Sequence, residues 1–159
     1  MKTFKDNTGR QWTVELNVAA AKRVKTLLNV DLLALDKGDP PLITRLGTDV
    51  ILLCDVMFAL IKPQADQAGV SDEQFGGALG GDVVLTAQTA LYEEIIDFFG
   101  KMGRRDLVKA VTAQKRVIDL AIAGVERRIG EIDLASEVEK TLGGSSTSSP
   151  GSSASIQAP

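Results

Sequence analysis

The sequence predicts a mainly α fold, with an N-terminal two-stranded β-hairpin packed on a helical bundle and a disordered C-terminal tail. Three observations carry this. Apolar and polar residues alternate from Gln11 to Leu16. From Val18 onward apolar residues recur in steps of three and four. After Leu142 the chain changes to seven Ser, three Gly and two Pro within 17 residues, none of them charged.

Each element follows in chain order. Phe4 precedes the turn-prone Asp6-Asn7-Thr8-Gly9, and Trp12, Val14 and Leu16 then alternate with Gln11, Thr13 and Glu15. This is a hairpin signature, with Gly9 suited to a positive φ. An isolated hairpin is marginal in water, so its apolar face requires the helices that follow. Val24, Leu28, Leu32 and Leu35 form a helical stripe, with a break expected at Asn29-Val30-Asp31. Asp36 to Pro41, with Gly38 and two prolines, is a loop.

Thr48 or Asp49 is placed to cap a helix from Val50 to about Lys62, which is apolar nearly all round and therefore central to the core, and Pro63 ends or kinks it. Ser71-Asp72-Glu73-Gln74 is a capping box for a short helix carrying Phe75 and Leu79, closed by Gly80-Gly81. Asp82 opens the next helix, with Val84, Leu91, Ile95 and Phe98 on one face. Gly100 to Gly103 separates it from the longest candidate, Arg104 to Leu142. There Leu107, Val111, Ile118, Ile122, Val125, Ile129 and Ile132 form a seam, which restarts out of phase at Leu134, Val138 and Leu142. A bend or break is expected near Asp133, and Gly124 and Gly130 weaken the helix further. The folded domain is thus residues 1–142, and residues 143–159 are a flexible Ser/Gly-rich tail.

Composition mainly excludes. The chain of 159 residues has 18 Lys and Arg against 21 Asp and Glu, a formal net charge of −3, with one Cys and no His. A nucleic-acid binder usually shows a basic surplus, so none is expected here. Without His there is no His-activated nucleophile and no His metal ligand, and one Cys makes neither an internal disulfide nor a zinc ribbon. The start of the chain lacks the apolar region of a secretory signal. Val50 to Ile61 is too short to span a bilayer, which takes about 20 apolar residues. A cytosolic protein without membrane contact or cofactor is the expectation.

Four constellations merit a chemical reading. Phe75-Gly76-Gly77-Ala78-Leu79-Gly80-Gly81-Asp82 lacks both the Gly-Lys-Ser/Thr of a phosphate loop and the spacing of a dinucleotide loop, and reads as a turn between helices. Glu93, Glu94 and Asp97 lie within one helical turn, too few for a metal site, and read as a solvated face opposite Leu91, Ile95 and Phe98. Asp55 interrupts an apolar helix and reads as an exposed or paired charge, with Cys54 a small buried hydrophobe beside it. Lys101, Arg104, Arg105 and Lys109, with Arg127-Arg128, are interspersed with acids and read as a mixed solvated face.

Several runs together carry a resemblance: Trp12-Thr13-Val14-Glu15-Leu16-Asn17-Val18 with Lys22-Arg23-Val24, Leu52-Leu53-Cys54-Asp55-Val56 with Lys62-Pro63-Gln64-Ala65-Asp66, and Glu93-Glu94-Ile95-Ile96-Asp97-Phe98-Phe99. In overall pattern across residues 1–142 the chain is similar to the tail assembly chaperones of long-tailed bacteriophages and prophages. The resemblance implies a non-enzymatic protein of the host cytoplasm that binds the tape measure protein, keeps it soluble and helps recruit tail tube subunits. It implies no catalytic residue. It also implies a longer form made by translational frameshifting, with the Ser/Gly tail as connector. A structural tail component retained in the virion is the alternative. On the residues themselves, Leu107, Val111, Ile118, Ile122, Val125 and Ile129 are the expected partner contact, unless that stripe is core.

Overall fold

The computed structural model describes residues 1–143. Strands β1 (Lys2–Lys5) and β2 (Gln11–Val14) pair antiparallel, with Phe4 opposite Trp12. Six helices follow: α1 (Val18–Leu28), α2 (Leu42–Thr48), α3 (Val50–Ala68), α4 (Asp72–Ala78), α5 (Asp82–Lys101) and α6 (Arg105–Gly143). The mainly α fold with its hairpin is as the periodicity predicts, while the expected tail lies outside the described residues. The chain divides after Ile118 into two units, and the hydrophobic core belongs to the first, Met1–Ile118.

The hairpin is fixed by its own loop and by the helices. Asp6 Oδ1 accepts from the Thr8 hydroxyl at 2.6 Å and from the Thr8 and Arg10 amides, and Oδ2 accepts from Trp12 Nε1 at 2.8 Å. Gly9 takes φ +85°, as that turn requires. Trp12, Val14 and Leu16 are all buried. Trp12 and Phe4 make T-shaped contacts with Phe75 on α4, with ring centroids 5.7 and 6.5 Å away. Such aromatic pairs add about 0.5–1.5 kcal/mol each beyond the burial itself. The outer edge of β2 is closed by a side chain: Gln64 on α3 accepts from the Thr13 amide at 2.9 Å and donates to its carbonyl at 2.7 Å. One amide thereby stands in for a neighbouring strand.

Helix ends follow their sequence signals. Asn17 caps α1, Asp49 caps α3 through the Leu52 amide, and Ser71 and Gln74 form the reciprocal capping box of α4. Asn29 in the left-handed conformation ends α1. Three expectations need correction. Leu32 and Leu35 are buried, but from turns beyond α1 and not from a continued or second helix. The periodicity marks no element after Pro41, yet α2 forms there and buries Leu42, Ile43 and Leu46. On α5 Val84, Leu91, Ile95 and Phe98 share one inward face as expected, Val84 and Phe98 half-buried, and Phe99 is buried as well, because the buried sector spans about 200° of the helix. The sequence stripe samples only part of it. The long helix is unbroken through Gly124, Gly130 and Asp133.

Pro63 does not end α3, which continues to Ala68 and stops at Gly69 with φ +68°. A proline within a helix leaves the carbonyl four residues back without its amide donor. That carbonyl belongs to Ala59, and Arg23 on α1 supplies the donor, its Nη1 lying 3.0 Å from both Ala59 O and Leu60 O. The helix passes through the proline because a cation from another helix fills the gap.

Candidate binding surface

Polar side chains in the core of the first unit are engaged in holding the chain together. Tyr92 donates to Ile43 O at 2.6 Å, and burial pushes its phenol far up from the ordinary value. Gln88 donates to the carbonyls of Leu46 and Gly47 at 3.2 and 3.1 Å, satisfying the end of α2. Glu94 corrects an expectation. It is only 4% exposed and not part of a solvated face. Its Oε1 accepts from the Leu16 amide at 2.9 Å, and its Oε2, which no hydrogen bond reaches, has the Met1 ammonium 2.5 Å away as ion partner. Asp97 pairs with Lys2 at 3.0 Å, and that hydrogen bond holds its carboxyl below the usual range. Glu93 is half-buried. Glu94 and Asp97 thus secure the start of the chain to α5.

The remaining chemical candidates are also placed. Asp55 is half-buried and, with Asp72, has no cationic partner among the described residues. Burial raises its carboxyl, and the charges of Asp72 and Asp49 add to the effect. Cys54 is half-buried, its thiol pushed up to about 11 by burial and by Asp72 and Asp55, so it is a poor nucleophile near neutrality. Gly76 and Gly77 lie inside α4, and Gly80 and Gly81 in the turn to α5. Arg104 makes a two-point contact with Asp106 at 3.1 and 2.9 Å, while Lys101, Arg105 and Lys109 are exposed. Among the described residues no group of three or more His, Cys, Asp or Glu is set to hold a metal, and no helix is long and apolar enough to cross a membrane.

The α6 seam divides. Leu107 and Val111 are buried in the core of the first unit, so these two residues of the expected contact stripe are unavailable to a partner. Ile118 packs against that core, and Thr44 on α2 bonds Gln114 at 3.0 Å one turn earlier. Past this point the stripe emerges. Ile122 is half-buried, Ile129 and Ile132 are 52% and 63% exposed, and the side chain of Val125 lies outside the described set. At 100° per residue Ile118, Ile122, Ile129 and Ile132 fall within a sector of about 80°. Leu120, Leu134, Val138 and Leu142, all more than half exposed, fall on the opposite side. The phase change near Asp133 therefore moves the apolar stripe to the other face of one continuous helix. Exposed apolar side chains repeated at helical spacing are what a helix-in-groove or helix-on-helix contact uses.

Sequence reasoning missed Arg23, Gln64, Gln88 and Tyr92 altogether. Only Glu94 had a local signal, being three residues after Leu91 and four before Phe98, at the margin of the apolar face. Comparison of the chain with family models, curated proteins and solved structures returns no match.

Proposed function

We propose that this chain is a non-catalytic binding protein of the tail assembly chaperone kind, acting in the host cytoplasm. It holds helical segments of a phage tape measure protein against the exposed apolar residues of α6, keeps that protein soluble and helps bring tail tube subunits to it. The observation that carries the reading is the seam itself: an unbroken 39-residue helix anchored in the core by Leu107 and Val111, with Ile129 and Ile132 exposed on one side and Leu134, Val138 and Leu142 exposed on the other. The resemblance in sequence pattern names the partner.

The energetics suit a transient binder. Burying an Ile or Leu side chain is worth about 1.5–3 kcal/mol, so the two or three anchors on either side of the helix supply about 3–9 kcal/mol gross. Association costs about 4–15 kcal/mol in lost freedom, leaving a net affinity that is weak and reversible. A chaperone has to release its client when the tube assembles, and tight binding would defeat that. The anchors also shield client apolar surface that would otherwise self-associate.

Co-expression with a tape measure protein tests the reading. The expected result is a larger soluble fraction of that protein and a complex that co-purifies; unchanged solubility with no complex overturns it. Mass spectrometry of purified virions separates a chaperone, absent or far below stoichiometric, from a retained tail component.

A further inference from the structure

The first unit carries a second apolar feature, independent of α6. The outer stripe of α3 runs Ile51, Asp55, Phe58 and Lys62 in steps of three and four, a length of about 16 Å. Beside it lie two depressions. One, of about 270 Å³, is lined by Ile51, Cys54, Gly76, Leu79 and Val84. The other, of about 190 Å³, is lined by Leu27, Leu28, Phe58 and Ala59. Asp55 and Asp72 belong to both and stand between them.

Their charge is uncompensated. No Lys or Arg among the described residues pairs with Asp55 or Asp72, and Lys62, the basic residue of the lining, is held by Asp66 at 2.7 Å. Asp55, half-buried beside apolar surface, loses hydration and meets the charge of Asp72, and both raise its carboxyl. A cation delivered from outside would relieve both costs, while Ile51, 75% exposed, and Leu27, 50% exposed, await apolar cover. Two carboxylates are too few for a divalent ion, and their charge disfavours both nucleic acid and an anionic membrane.

We propose that this groove docks an amphipathic helix of another protein in which two apolar side chains about two turns apart flank a Lys or Arg. The apolar pair fills the two depressions, and the cation sits between Asp55 and Asp72. The residues that line this site belong to the first unit, and the proposal does not depend on the proposed tape measure contact.

The test uses the full chain and two labelled synthetic helical peptides, alike except for one position: Leu at i and i+7, with either Lys or Glu at i+3. Fluorescence anisotropy is expected to show the Lys peptide binding at least about tenfold tighter than the Glu peptide. The isosteric pair Asp55→Asn with Asp72→Asn is expected to abolish that preference without loss of thermal stability. Gly76→Leu is expected to weaken the Lys peptide about tenfold by filling the larger depression. Gly76 is helical, and a Cβ there meets only Cys54 Sγ at 3.7 Å, so the helix tolerates the side chain. Equal affinity for the two peptides overturns the proposal, as does Lys-peptide binding that the Asn pair leaves unchanged. So does sedimentation of the unliganded chain as an oligomer that the Asn pair dissociates, since a second copy would then be the occupant.

Discussion

Replacing Arg23 with Met tests how α3 survives Pro63. The substitution keeps the apolar stem and removes the guanidinium, leaving Ala59 O with no donor, because residue 63 has no amide hydrogen. Leu60 O also loses Arg23 but keeps the helical donor four residues on, the Gln64 amide. Hydrogen bonds to charged groups are worth about 1.5–3 kcal/mol, and Arg23 is half-buried, so water replaces part of the loss. A cost of about 1–2 kcal/mol follows, or roughly 2–8 °C in Tm for a chain of this size. The discriminating assay is a double-mutant cycle by urea unfolding with Pro63→Ala, which restores an amide donor to Ala59 O. In that background Arg23→Met is expected to cost about 1 kcal/mol less than in the parent. An identical cost in both backgrounds refutes the idea that Arg23 replaces the missing proline donor.

Three further outcomes follow from the same contacts. Asp6 is under opposing influences: burial raises its carboxyl, but the hydrogen bonds from Thr8, Trp12 and Arg10 outweigh it, and the net position is below the ordinary value. A carboxyl lowered on folding contributes stability that is present above its unfolded pKa, near 4, and lost as pH falls through the folded value. Near-UV circular dichroism of Trp12 should therefore show Asp6→Asn less stable than the parent at pH 7, with the two converging below about pH 4. Glu94→Ala strands the buried Leu16 amide and should cost about 1–3 kcal/mol in urea unfolding, whereas Glu94→Gln, which still offers an oxygen to that amide, should cost less. Gly47→Ala puts a Cβ 2.9 Å from the Tyr92 hydroxyl and closer still to Ile118, and should lower stability by about 1–3 kcal/mol, read as a fall in Tm.

What the sequence makes legible here is whatever is decided locally. The hairpin loop from Asp6 to Gly9, the Ser71–Gln74 capping box and the Asp49 cap all depend on residues within four positions, and all form. What it hides is settled at a distance. Pro63 reads as a stop until Arg23, 40 positions earlier, fills the vacant carbonyl. Glu94 reads as solvated until the hairpin covers it and Leu16 offers an amide 78 residues away in sequence. Helix α2 has neither a side-chain cap nor the length for a clear period, and Tyr92 and Gln88 on α5 satisfy its carbonyls. The seam of α6 is the mixed case: its period is plain in the sequence, but only packing determines that Leu107 and Val111 face inward while Ile129 and Ile132 do not.

That division gives the most direct measurement of the functional account. Ile129 and Ile132 are exposed, so replacing both with Asp should leave the unfolding of the first unit unchanged. Titration of a soluble tape measure fragment into the parent and the double variant compares their affinities by calorimetry. Losing two anchors should weaken binding by about a hundredfold or more. Equal affinities would contradict the claim that the exposed face of α6 is where the partner binds.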